Sequence, residues 1–266
     1  MDRTTVIGIT LGVLVVGVAL YMKGVHLGAL LNPAALLIIF VGTAASVLIA
    51  FPASTIKTIP KLMKVIFQET NRQSKVGIIE QFTVWSRLTR QEGILVLENE
   101  IEKTSDPFLK SGLRLVIDGQ SPDFIRDVLL EKIGAMEERH DTGVAIFTQA
   151  GTYAPTLGVL GAVVGLIAAL GNIEDMAVLG AAISAAFMAT LFGIFTGYVL
   201  WHPFASKLRK KSTEEVQEKR MIIEGLLSLT NGESPQVLQD KLSSYLSTEE
   251  LANLEEEPEY VQEEAS

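Results

Sequence analysis

Cysteine is absent from the chain, which excludes disulfides, thiolate nucleophiles and cysteine-based metal sites. Histidine is scarce: His26, His140 and His202 lie far apart, and none has a motif partner nearby. The net charge of -9 argues against a nucleic-acid binder, which would show a basic stripe. No internal repeat at a solenoid period is found. The most informative lack is of charge. Four long stretches contain no Asp, Glu, Lys or Arg: Thr4 to Met22, Asn32 to Phe51, Thr142 to Ile173 and Met176 to Trp201.

Hydrophobic residues make up 48% of the chain, and its mean hydropathy is +0.34. The 20% of charged residues lie between the apolar runs and in the tail, as expected of a chain divided between lipid and water. A helix needs about 20 apolar residues to cross a bilayer, and each run has that length. The predicted fold class is therefore an all-α integral membrane protein with four transmembrane helices in two hairpins. The first run follows Arg3 like a signal peptide, but no small-x-small cleavage site follows it. It continues through Lys23 and GVHLGALLNP into the second run. Only Glu174, Asp175 and their neighbours separate the third run from the fourth.

The predicted divisions are a transmembrane hairpin at 1–52, a helical domain at 53–141, a second transmembrane hairpin at 142–203 and C-terminal helices with an acidic tail at 204–266. Lys57, Lys61 and Lys64 follow the second run, and Lys207, Arg209, Lys210 and Lys211 follow the fourth. The excess of Lys and Arg on one side places both termini and the central domain in the cytoplasm. Lys23 alone lies on the other side. In the central domain, apolar residues recur at helical spacing through Ile78, Ile79, Phe82, Trp85 and Leu88. Breaks are predicted near Gly93, Pro107, Gly112 and Ser121-Pro122. Ser121 is a candidate N-cap, with Pro122 and Asp123 in the first turn of a helix that runs on into the third span. A charged amphipathic helix is predicted from Phe204 to Thr230, docked either at the membrane surface or on the central domain. A short helix follows from Ser234 to Leu246. The acidic end, EEEPEYVQEEAS, reads as disordered.

In the third run, Gly151, Pro155, Gly158, Ala162, Gly165 and Ala169 recur every three or four residues and share one helical face. Ala182, Ala186, Ala189, Gly193 and Gly197 form a similar stripe on the fourth. Small residues let membrane helices approach closely, so these stripes serve either plain helix packing or a pathway shared with another chain. Pro155 frees a backbone carbonyl, and Thr190 supplies a hydroxyl near mid-membrane. Ion pathways in membranes usually carry an ionisable side chain. With none here, either another polypeptide supplies the carboxylate or the protein is a membrane scaffold. An intramembrane enzyme would need a nucleophile, a carboxylate pair or a metal cluster. Ser46 and Ser184 have no evident base, so no enzyme and no cofactor is predicted.

The string GTYAPTLGVLGAVVGLIAAL, followed by ISAAFMATLFGIFTGYVLWHP, resembles the paired pore helices of the MotA/PomA flagellar stator family. The ExbB and TolQ energising proteins share a looser version. The extra N-terminal hairpin with NPAALLIIFVGT, and SRLTRQEGILVLENEIE in the central domain, resemble the flagellar branch. This resemblance implies a subunit in the bacterial cytoplasmic membrane that couples ion flow to torque. It implies a homo-oligomer of roughly five copies around two of a B-type subunit. That partner carries a membrane aspartate and a peptidoglycan-binding domain. By the same resemblance Pro155 shapes the pathway, and Pro203 couples pore to cytoplasm where it would otherwise simply end a helix. Arg90 and Glu98 meet the rotor protein FliG where they would otherwise be a solvated face. On one continuous helix those two residues would lie about 80° apart, with Arg87 better aligned to Glu98. Ala162, seven residues after Pro155, stands where sodium-driven relatives tend to place a threonine. Alanine offers no oxygen to a hard cation, so protons are the predicted ion. Thr190 fits either ion. The alternatives are an ExbB/TolQ-type energiser of an outer-membrane system and a passive scaffold.

Overall fold

The computed structural model describes residues 2–25, 32–69, 74–171 and 173–256. Most of the turn predicted between the first two spans, with His26, lies outside the described residues, as do 257–266 of the acidic tail. Among the described residues the chain is helix and turn, with no strand. Helix α1 is Arg3–Met22, and α2 (Pro33–Leu36) passes through a wider π-helical turn, Leu37–Val41, into α3 (Gly42–Ala50). Next come α4 (Ala53–Ile56), α5 (Ile59–Phe67), α6 (Lys75–Glu92), a tight turn at Ile94–Leu97, α7 (Glu98–Lys103) and α8 (Pro107–Ile117). The 49-residue α9 is Pro122–Leu170, and α10 (Met176–Phe195) runs through a π-helical turn, Thr196–Trp201, into α11 (His202–Thr230). The last described elements are α12 (Pro235–Ser243) and α13 (Thr248–Glu256). Among the described residues four helical stretches are long and apolar enough to cross a membrane: Arg3–Met22, Pro33–Ala50, and parts of Pro122–Leu170 and Met176–Thr230.

The chain forms two compact units. The first is Met1–Thr70 with Arg139–Lys211, and the second is Asn71–Glu138 with Ser212–Ser266. Sequence segment 53–141 therefore contributes α4 and α5 to the first unit.

In the first unit, α1 buries none of its residues, and Ile7, Leu11 and Leu14 stand exposed along it. A helix that is apolar on all sides and left uncovered suits lipid. At its start, Asp2 accepts hydrogen bonds from the Thr5 N–H (3.1 Å) and the Thr4 hydroxyl (2.7 Å). Lys207 Nζ lies 2.5 Å from Asp2 Oδ2 and also donates to Thr4 Oγ1 (3.0 Å). The Asp2 N–H donates to the Phe67 carbonyl (2.9 Å), and Lys211 donates to the Val65 and Gln68 carbonyls (2.7 and 2.6 Å). These bonds tie the start of α1, the end of α5 and the start of α11 together. Beside them Val47, Ile66, Val144, Phe147, Phe204 and Leu208 form an apolar cluster. Asn32 caps α2, and Asp175 caps α10 through the Ala177 and Val178 N–H groups.

The second unit has a water-soluble type of core. Phe82 and Trp85 of α6, Leu113 of α8, Leu129 of α9, Leu226 of α11 and Leu238 of α12 are all buried within it. The α11 segment Ser212–Thr230 thus packs on the central domain, while the first turns of the helix, through Phe204 and Leu208, belong to the first unit. Lys219 is 8% exposed. It pairs with Asp106 (2.7 Å) and lies 5.2 Å from the centre of the Phe108 ring.

Two local expectations need correction. Gly112 does not break a helix; it lies buried inside α8, where Leu226 occupies the space a side chain would need. α13 extends to Glu256 and so includes the first residues of the segment read as disordered. Its start is a capping box: the Glu250 N–H donates to Ser247 Oγ (3.3 Å) and the Ser247 N–H to Glu250 Oε2 (2.8 Å). The break expected near Gly93 is present: α6 stops there, at a φ of 88° that glycine adopts without strain, so Arg90 and Glu98 lie on different helices.

Candidate functional site

Two places carry candidate residues, one in each unit. In the first unit, the glycine stripe of α9 meets the small-residue stripe of α10 backbone to backbone. A β-carbon on Gly158 would lie 2.9 Å from the Ala189 carbonyl and 3.0 Å from Gly193 Cα. One on Gly165 would meet Ala186 at 3.0 Å, and one on Gly193 would lie 2.7 Å from the Ala154 carbonyl. One on Gly197 would lie 2.7 Å from Pro155 Cγ and 2.8 Å from the Gly151 carbonyl. Much of both stripes is thus used for packing within this chain. Without side chains the helices can close at distances that dispersion forces reward in lipid.

Pro155 sits inside α9, and the helix continues past it. Proline lacks an N–H, so the Gly151 carbonyl four residues earlier loses its helical donor. That carbonyl is the one that closes on Gly197. Ala162 and Thr190 are half-buried, and a β-carbon on Gly158 would lie 3.4 Å from Thr190 Cα. The Thr190 hydroxyl donates back to the Ala186 carbonyl (3.4 Å). The outward side of α9 remains open: Thr152, Thr156, Val159 and Val163 are exposed.

Sequence reasoning passed over two features here. Thr148, Thr152 and Thr156 recur at four-residue spacing, a pattern visible in the sequence. Each hydroxyl donates to a carbonyl of the preceding turn, as from Thr152 to Thr148 (3.1 Å). His202 packs its ring against Gly151, where a β-carbon would lie 2.9 Å from it, and lies 5.3 Å from the Tyr198 ring.

Pro203 does not end a helix. It is the second residue of α11, and the chain is helical from Met176 through Thr230. The π-helical turn Thr196–Trp201 immediately before it widens the helix where the proline ring would crowd the preceding turn.

In the second unit, Arg90 lies in the last turn of α6 and Glu98 is the first residue of α7. Both are exposed, and neither forms an ion pair among the described residues. The geometry between them is fixed from beneath. Leu97 is fully buried. The Trp85 indole N–H donates to Glu100 Oε2 (3.2 Å), and Lys103 lies 2.7 Å from Glu100 Oε1. The Lys103 ammonium, with help from the indole, holds the Glu100 carboxyl below its ordinary range. The result is a turn that presents Arg90 and Glu98 to solvent on either side of the exposed Glu92. Among the described residues no group of His, Asp and Glu is arranged to hold a metal.

Residues 100–221 match the family described as "MotA/TolQ/ExbB proton channel family". The chain is 52% identical over 259 residues to motility protein A of Bacillus subtilis strain 168, covering 97% of this chain and 96% of the relative. It is 34% identical to motility protein A of Borreliella burgdorferi, covering 96% and 97%. The chain belongs to the MotA/TolQ/ExbB proton channel family. Its likeness to a solved structure, the flagellar MotAB stator complex from Bacillus subtilis, has a TM-score of 0.91 at 52% identity over 95% of this chain and 99% of that one. Within the family the chain is of the MotA type, because the motility relatives match both hairpins while the broad family pattern starts only at residue 100.

Proposed function

We propose that this chain is the A-type stator subunit of a bacterial flagellar motor, a membrane protein that couples proton flow across the cytoplasmic membrane to torque on the rotor. Full-length likeness to motility protein A, including the N-terminal hairpin, is the observation that carries this reading. That hairpin also counts against an ExbB/TolQ-type energiser. The four apolar runs hold no Asp, Glu, Lys or Arg, so the proton acceptor comes from a B-type subunit with a membrane aspartate and a peptidoglycan-binding domain. A homo-oligomer of this chain, roughly five copies to two, surrounds a dimer of that partner.

The open side of α9 beside Pro155 faces the partner's carboxylate, with Ala162 and Thr190 on the flanking wall. Alanine at 162 offers no ligand to sodium, which favours protons. One charge crossing 100 mV releases about 2.3 kcal/mol, enough to bias two conformations that differ by a similar amount. Pro203, in the helix continuous with α10, transmits the change. Arg90 and Glu98 contact the rotor protein FliG through weak exposed charge pairs that form and release at each step. The basic ends of the second and fourth spans support cytoplasmic termini.

Deleting the gene in its host, then measuring swimming and staining for filaments, tests this reading. Filamented cells that cannot swim, and that recover in sodium-free medium once the gene is supplied, are the expected result. Normal swimming of the deletion strain, with no second stator present, contradicts it.

A further inference from the structure

The whole chain carries a net charge of -9, yet one end of the first unit is strongly basic. That end gathers the start of α1, the segment from α4 to Glu69, the start of the α9 portion and α11 up to Lys211. It holds nine basic side chains against three acidic ones, Asp2, Glu69 and Asp141. Asp2 is already taken by Lys207, and Lys211 is spent on the end of α5.

The depth of α5 is fixed by its packing. Its apolar side enters the cluster made by Val47 near the end of the second span, Val144 and Phe147 of α9, and Phe204 of α11. Gly143 gives way to Leu62, which stands 3.0 Å from where a β-carbon would be. Gly143 is the second residue of the uncharged α9 run, so α5 lies level with the edge of the apolar zone. The opposite side carries Lys57 in the turn before α5, and Lys61 and Lys64 on the helix. All three are exposed at spacings of four and three residues. Among the described residues none of the three has an ion-pair partner.

We propose that α5 and the turn before it seat the headgroups of anionic phospholipids, with Lys57, Lys61 and Lys64 as the contacts. Charge complementarity selects that occupant: clusters of lysine beside a membrane span are drawn to the negative leaflet surface. The amphipathic helix, anchored on its apolar side, holds the three ammonium groups at headgroup height. The lipid then braces the foot of the N-terminal hairpin where it meets the start of α11. This inference rests on the membrane-inserted stator reading.

The test uses the full-length chain, purified with its partner in neutral detergent, and native mass spectrometry with added phosphatidylglycerol or phosphatidylcholine. The parent is expected to retain phosphatidylglycerol in preference. Lys57→Gln, Lys61→Gln and Lys64→Gln together lower that preference about a hundredfold, while the triple Arg variant keeps it. The lysines are exposed, so helix content and melting temperature of the Gln variant stay those of the parent. Three results overturn the proposal: an unchanged lipid preference in the Gln variant, displacement of the lipid by millimolar glycerol phosphate, or a changed subunit count that makes this face a contact between copies. If the Gln variant keeps the preference and still restores swimming to the deletion strain, only this inference falls. If the parent chain fails to restore swimming, the stator reading falls instead.

Discussion

The two units hold themselves together in opposite ways. In the first, α9 and α10 meet through hydrogens of glycine and methyls of alanine, with backbone against backbone at Gly158, Gly165 and Gly193. In the second, large side chains such as Phe82, Trp85, Leu129 and Leu226 fill the interior, and even its buried glycines are roofed by side chains: Gly112 by Leu226, Gly225 by Phe82. The contrast follows from the solvent. In lipid, burying a leucine gains little, so close approach and dispersion decide. In water, the gain is about 25 cal/mol per Å² of apolar surface removed, so bulk decides.

The largest expected effect lies in the water-type core. Phe82→Ala removes a fully buried ring and should destabilise the second unit by about 3–5 kcal/mol. Hydrogen exchange followed residue by residue should show faster opening of α6, α8 and α12 than of α9 from Gly143 onward. Equal acceleration in both would break the comparison.

A pair of glycine substitutions sharpens it. Gly193→Ala drives a methyl into the Ala154 carbonyl and Gly158 Cα, neither of which can step aside; about 1–3 kcal/mol of destabilisation is expected. Gly112→Ala meets side-chain ends, those of Leu226 and Leu129, rather than backbone, and alanine's better helix propensity offsets part of the strain. Its effect should stay below about 1 kcal/mol. Thermal melting of the purified chain orders the two; the reverse order would contradict the packing argument.

A smaller effect belongs to Asp2. The hydrogen bond from Lys207 is the main force holding its carboxyl well below the ordinary range, and Thr4 adds to it. A carboxyl depressed on folding contributes stability above its unfolded value near 4, and that contribution is lost as pH falls below it. From pH 8 to 5 the Asp2 contribution should be flat. Below about pH 4 the parent should lose melting temperature faster than Asp2→Asn. Parallel curves for the two would remove this account of the knot.

Arg90→Ala and Glu98→Ala should change stability least, within about 0.5 kcal/mol, since both side chains are exposed. Their effect should appear in torque measured on tethered cells at equal membrane levels. Unchanged torque in both would reduce the turn to an ordinary solvated surface.

The spans were legible in the sequence because a bilayer demands about 20 apolar residues and internally satisfied backbone. The continuity of α9 was legible because no glycine or proline interrupts it between Pro122 and Asp141 except Gly134. Gly112 was misread because a glycine that breaks a helix and one that lets a leucine settle on it look alike until Leu226, over a hundred residues away, is in place. The stripes were found, but the choice between packing and pathway needed the partner face. The structure assigns Gly158, Gly165 and Gly193 to packing and leaves the threonine side of α9 uncovered. The Arg90 to Glu98 turn depends on one positive φ at Gly93, and the sequence marks that position without giving its conformation.

With no Asp, Glu, Lys or Arg in its apolar runs, the chain in the proposed stator works on a carboxylate brought by another chain. The most direct measurement is swimming of a stator-deleted strain supplied with this chain and its B-type partner, in which the partner's membrane aspartate is intact or replaced by asparagine. The account predicts that both proteins reach the membrane in each case and that swimming occurs only with the aspartate. Swimming with the asparagine variant would contradict it.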